Sequence, residues 1–217
     1  MNGDEGGVEY HSNALRGPAN AFGLALAGGP LERLLDGRKR QVFANLPETV
    51  LEIGPGVGAN FRYMHTGTKV LAVEPNSAMH SRLQTAARRY GIELELHCSA
   101  AEALDVPDGS VPMVISSLVL CTVQNPSRVV AEILRVLETG GRYAFVEHVA
   151  AAPGSRLRRL QHTVRQPWAY FFEGCSCERE LSALIRAAGF AAVELVEYSA
   201  GPRWLPVHTQ ISGVAVK

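Results

Sequence analysis

Short apolar runs alternate with amphipathic stretches along most of this chain. Residues 50–53 are apolar and run into glycines at 54, 56 and 58, and residues 68–73 form a second apolar strand. Residues 76–90 (NSAMHSRLQTAARRY) carry helical spacing and stop at Gly91, a residue that ends helices readily. IELELHCS then alternates strictly. Ile92, Leu94, Leu96 and Cys98 share one face, and Glu93, Glu95 and His97 share the other, the pattern of a strand at a sheet edge. After the turn PDGS, VPMVISSLVLCTV reads as a buried strand running into a loop.

Pro126 opens a helix whose Val129, Val130, Ile133, Leu134 and Leu137 follow helical spacing to an end near Gly140–Gly141. RYAFVEHVA is a fifth strand, 154–188 a second helical region, and AAVELVEYS and HTQISGVAVK two closing strands. Seven strands alternating with helices predict an α/β fold. Because parallel crossovers are right-handed, the sheet is open and doubly wound, with its ligand crevice at the strands' carboxyl ends.

Composition narrows this to one globular domain. The chain has 217 residues, long enough for a single large core, and no low-complexity linker or internal repeat divides it. Residues 1–45 read as an N-terminal helical cap on a domain spanning 46–217. Within the cap, 18–35 form a helix that folds over the crevice or docks as a terminus. Acids and bases balance at 21 each, so no charge excess recruits nucleic acid. The start lacks an apolar signal core, and no run is long enough to span a membrane. A cytoplasmic enzyme is the expectation.

The loop after the first strand carries the chemistry. Glycine lets backbone approach a ligand closely, and Glu74 lies where a second parallel strand presents a carboxylate to ribose hydroxyls. Gly54-x-Gly56-x-x-Ala59 also satisfies a relaxed dinucleotide fingerprint, so glycines alone leave a nicotinamide or flavin cofactor open. Glu52 changes the balance. A carboxylate there is awkward beside a pyrophosphate and suits the amino group and sulfonium of S-adenosylmethionine.

LEIGPGVGANF, AEALDVPDGSV, SSLVLCTV, ILRVLETGGRYAFVEHVA and the ending HTQISGVAVK resemble the class I S-adenosylmethionine-dependent methyltransferases. GANF, the cysteine of LVLCTV, EHVA and QPWAYFFEGCSCERE are similar to the methyltransferase-like alkyl-thiol S-methyltransferases within them. Those relatives carry an N-terminal membrane-anchoring segment that is not evident in this sequence. The resemblance implies a Rossmann-like, mostly parallel seven-stranded sheet with a closing antiparallel strand. It implies S-adenosylmethionine as cofactor and S-adenosylhomocysteine as product.

Carried over by position, it places Gly54, Gly56 and Gly58 around the methionine moiety and Glu74 on the ribose, with Glu52 and Asn60 also expected among the cofactor-binding residues. Pro75, Met79, Ala101 and Glu102 would lie along the adenine, and Ser117 and Leu118 beneath the cofactor. Two positions depart from the wider superfamily: Ala100 stands where an acid is common, and Cys121 where quinone-type enzymes carry a histidine. The implied activity is methylation of a small lipophilic thiol. The alternative is oxygen or carbon methylation of a natural product or quinone.

A sulfur acceptor asks little of side chains. A thiol with a pKa of about 8.5 is partly ionised at neutral pH, whereas a phenol near 10 leans harder on a base. His148, at the end of the fifth strand, is the candidate to orient or deprotonate the acceptor. Cys121, Trp168 and Phe172 are candidate acceptor-pocket residues, the two rings forming a wall or lid. His162 and His208 join them, against the plainer reading of partly buried histidines bonded to backbone. Cys175 and Cys177 are two close thiols without a second pair, so no metal site is expected.

Overall fold

The computed structural model describes residues 33–217, so the expected helix over 18–35, apart from its last turn, lies outside the described residues. Helical residues 33–42 (α1) lead into β1 (Thr49–Ile53), β2 (Lys69–Val73), α2 (Ser77–Tyr90), β3 (Glu93–His97) and β4 (Val111–Ser117). There follow α3 (Pro126–Val136), β5 (Leu137–His148), α4 (Arg156–Phe171), α5 (Leu181–Ala187), β6 (Ala192–Ser199) and β7 (Thr209–Val216). The seven strands form one sheet in the order β3-β2-β1-β4-β5-β7-β6. The first five run parallel, and β7 lies antiparallel between β5 and β6. The chain leaves β1 toward β2 and β3 on one side and later takes up β4 and β5 on the other. The strand order therefore reverses between β1 and β4, where a crevice opens at the carboxyl ends.

Alternation along the central strands separates two apolar layers. Leu51, Ile53 and Val114 pack under α3 and α5, while Val50, Met113, Ile115, Ala144 and Val146 meet Leu35 of α1 and the adjoining Phe43. Val70 and Ala72, on the α1 side by register with Val50 and Glu52, pack against Leu83 and Ala87 of α2. Asn125 caps α3, its side chain accepting from the Arg128 amide, with Pro126 in the first turn. Such a cap contributes about 1 kcal/mol, and each buried aliphatic of that helix about 1.5–3 kcal/mol. Packing therefore decides where α3 sits, and the cap decides where it begins.

Two element boundaries differ from the sequence expectation. The third helix ends at Val136, because Leu137 turns extended and pairs with Val111 as the start of β5. Gly140, at φ 79°, then carries the chain through a register shift that no regular helical pattern announces. The helical region 154–188 is two helices. Glu173 and Gly174 adopt φ 51° and 82°, a left-handed reversal that stops the first helix. As its alternation implied, β3 is an edge strand, and β6 forms the opposite edge.

Candidate active site

The crevice has two halves. On the β1–β2 side, Gly54 donates its amide to the Val73 carbonyl and Gly56 donates to Oε2 of Glu74 at 2.9 Å. Oε1 of Glu74 accepts from the Asn76 amide, and the Asn76 side chain in turn caps α2. The carboxylate is 6% exposed, and burial raises its pKa above the usual carboxylate value against these two amide donors. The glycines serve different ends. A Cβ on Gly54 would strike Val119 at 2.6 Å, and one on Gly58 would strike Ala86 and Phe61. A Cβ on Gly56 would meet nothing within 4 Å, so the loop opens on free space beside Glu74. That space and the adjoining carboxylate fit a ribose and the chain attached to it.

Below the loop, Glu52 is fully buried on the α1 side of the sheet. Its Oε1 accepts from Asn60 Nδ2 at 2.7 Å, and Asn60 Oδ1 accepts from Lys39 Nζ at 2.9 Å. Glu52 and Asn60 thus support the loop from beneath. Met79 and Ala101 are buried near the same end. Glu102 is committed elsewhere, since its Oε1 accepts from the Gln124 and Asn125 amides and so ties down the entry to α3. Arg135 fixes the same loop through the Leu104 and Val106 carbonyls.

Beneath the crevice, Leu118 adopts φ 59°, a left-handed conformation that costs a non-glycine residue about 1 kcal/mol or more. Glu147 holds the turn in place. Its buried Oε1 accepts from Ser116 Oγ and the Val119 and Leu120 amides, while burial raises its pKa. Beside it the Ser117 hydroxyl is buried and has no partner among the described residues. An orphaned hydroxyl at the crevice floor fits a polar ligand atom.

The second half is built from distant segments. Residues 172–179 lie across the carboxyl ends of three strands. Glu173 accepts from Asn76 Nδ2 at 3.1 Å beyond β2, and Ser176 donates to the Cys121 carbonyl beyond β4. Arg179 donates to the Leu120 carbonyl at 2.6 Å and to that of Val123, and accepts from the Ala150 amide beyond β5. This arrangement carries Cys175 inward. His148 Nε2 is 3.0 Å from Cys175 Sγ, Trp168 Nε1 donates to the same sulfur at 3.3 Å, and Cys121 adjoins both. The proximity of the two sulfurs pulls the pKa of Cys175 down and, with burial, pushes that of Cys121 up. The Trp168 ring stacks on Phe172 at 4.2 Å, extending the wall outward.

The structure gathers the candidate residues Cys121, His148, Trp168 and Phe172 at this end. His162 stands apart: its exposed side chain bonds Glu178 and Arg165 on the outer face of α4. His208 bonds the Ala200 and Gly201 carbonyls in the corner between β6 and β7 and fits the plainer structural reading. Cys177 also turns away, its thiol donating to the Gln161 carbonyl. Sequence spacing did not single out Asn76, Glu147, Glu173, Arg179 or the placing of Cys175 with His148. Their partners lie up to 97 residues away, a separation that leaves no local signature.

Residues 51–145 match the family model described as a methyltransferase domain. The chain is 35% identical over 191 residues to the thiol S-methyltransferase TMT1A of Homo sapiens, covering 83% of this chain and 78% of that protein. It is 34% identical to the thiol S-methyltransferase TMT1B of Rattus norvegicus, covering 84% and 80%. Among solved structures, a Thermotoga maritima S-adenosylmethionine-dependent methyltransferase, described as a possible histamine N-methyltransferase, superposes with a TM-score of 0.61 at 19% identity. That match covers 92% of this chain and 99% of the other, and shows the shared fold. With these matches over the loop, the sheet and the acceptor end, the chain belongs to the thiol S-methyltransferase family of S-adenosylmethionine-dependent methyltransferases.

Proposed function

We propose that this chain methylates the sulfur of a small, lipophilic thiol, with S-adenosylmethionine as donor. The observation that carries the reading is the wall at the carboxyl ends of β4 and β5. It combines two sulfurs, one imidazole and a half-buried indole, a soft and largely apolar surface suited to a sulfur acceptor. The relatives' names agree with it.

In this reading Glu74 accepts both ribose hydroxyls, exchanging its bond to the Gly56 amide for the ligand. The loop at Gly54, Gly56 and Gly58 runs along the methionine moiety. Pro75, Met79 and the backbone at Ala101 border the adenine, and Ser117 and Leu118 form the floor. Glu52 and Asn60 act through the loop they support, and Glu102 through the backbone it anchors. The cofactor, when bound, supplies a methyl carbon already activated by a sulfonium. The protein orients the acceptor and keeps water out. His148 positions the acceptor sulfur, and Trp168 and Phe172 cover it. All four cysteines are free of disulfides, which suits a reducing compartment and supports a cytoplasmic setting. Among the described residues no helix is long and apolar enough to cross a membrane.

Purified protein incubated with methyl-labelled cofactor and a panel of alkyl thiols, phenols and quinols tests the reading. Label should appear on thiol sulfur. Label confined to oxygen or carbon acceptors would overturn it.

A further inference from the structure

Cys121, His148 and Cys175 come from the loop after β4, the end of β5 and the reversal after α4. All three are buried, and their ligand atoms lie within 4.8 Å of one another. Two sulfurs and one imidazole nitrogen make a donor set with high affinity for thiophilic divalent cations, and catalytic zinc sites use three protein ligands with a fourth position open. The orientation suits such a site. His148 directs Nε2 at Cys175 Sγ, with the Cys121 sulfur alongside. The Trp168 indole donates to Cys175 Sγ, the kind of outer bond that fixes a metal-bound thiolate. The cluster is also held from outside: the Ser176 amide donates to the Cys121 carbonyl, and Arg179 ties the same loop to Leu120. Cys175 and Cys177 are two residues apart in the chain, yet the fold sets Cys175 beside Cys121 and His148 instead.

We infer that Cys121, His148 and Cys175 form a binding site for one zinc-class divalent cation, with its open position facing the acceptor end of the crevice. The inference extends the thiol-methylation reading and rests on it for its catalytic half. The acceptor R–SH would release its proton to bulk solvent on entering, before the site closes, and its sulfur would take the open position, since a coordinated thiol ionises readily. That sulfur forms the new S–C bond, and the electron pair of the broken bond returns to the sulfonium sulfur. The products are a neutral thioether, S-adenosylhomocysteine and one proton.

The test uses the full chain, stripped with a chelator and titrated with zinc(II), and separately with cobalt(II) to read thiolate-to-metal charge-transfer absorption. One equivalent should bind and produce that absorption. Cys121→Ser and Cys175→Ser should each weaken binding by about 100-fold or more. Cys98→Ser, exposed and remote from the cluster, should leave it unchanged. Calorimetry with S-adenosylhomocysteine shows that each variant is folded. Failure to bind either metal, or binding that survives the Cys121/Cys175 double substitution, overturns the site. Full thiol turnover by the stripped enzyme overturns its catalytic half. A bound metal without thiol turnover in any form leaves the site standing and overturns the proposed function instead.

Discussion

The two halves of the crevice are assembled differently. The cofactor half is built mainly from Glu52–Met79, with the Ala101 backbone and the Ser117–Leu118 turn added from outside it, and Glu74 reaches the Gly56 and Asn76 amides over separations of 18 and 2 residues. The acceptor half draws on Cys121, His148 and Cys175, joined by a loop that reaches back 97 residues to Asn76. A contiguous strand-loop-strand unit fixes its geometry through its own backbone. A site stitched from three segments depends on the whole sheet and on one covering loop. On the proposed reading the first half serves any acceptor, and the second selects which acceptor is methylated.

Substitutions on either side should separate the halves, beginning with the largest effect. On the proposed reading Glu74→Ala removes two charge-assisted hydrogen bonds to ribose, each worth about 1.5–3 kcal/mol, so cofactor affinity should fall by about 10²–10⁴-fold. Unchanged affinity by calorimetry would remove Glu74 from the ribose. His148→Ala should slow methyl transfer by about 10²-fold with cofactor affinity intact. If turnover across pH 6–9 matched the wild type, the acceptor half would lose its central residue. Glu173→Ala breaks the bond to Asn76 that spans both halves. The loss of about 1 kcal/mol should raise the acceptor KM by about fivefold with little change in kcat. An effect confined to cofactor affinity would assign the covering loop to the other half.

The smallest effect is a pH dependence. Burial raises the folded-state pKa of Glu147 above 4.5, so the folded chain binds that proton more readily than the unfolded chain. Its contribution to stability is then greatest below 4.5 and is lost as pH rises through the raised value. Glu147→Gln keeps an acceptor for the Ser116, Val119 and Leu120 donors and removes the ionisation. Its thermal stability relative to wild type should improve as pH climbs above 4.5 and level off beyond the raised value. A pH-independent difference would show that the carboxylate titrates alike in both states.

Much of the fold was legible because its signals are local. Alternation marked β3 as an edge strand, glycines at 54, 56 and 58 marked the first turn, and Gly91 marked the end of α2. The third helix was read too long because Leu137 has the right period for a helix. Its pairing with Val111 across the sheet overrides that period. The break at Glu173 was hidden for a related reason, since a left-handed non-glycine residue has no compositional sign. His162 occupies a plausible sequence position, yet the rotation of α4 turns it to solvent.

Hydrophobic period and glycine placement act over a few residues, so the amino-acid order alone specifies a doubly wound sheet whose first turn suits an adenosine-containing cofactor. That Cys175 meets His148 and Cys121 and leaves Cys177 aside is a product of the packed domain. Which thiols come together depends on how strand ends and a covering loop converge in space. Convergence over tens of residues is set by packing of the whole domain, for which neighbouring letters carry no code.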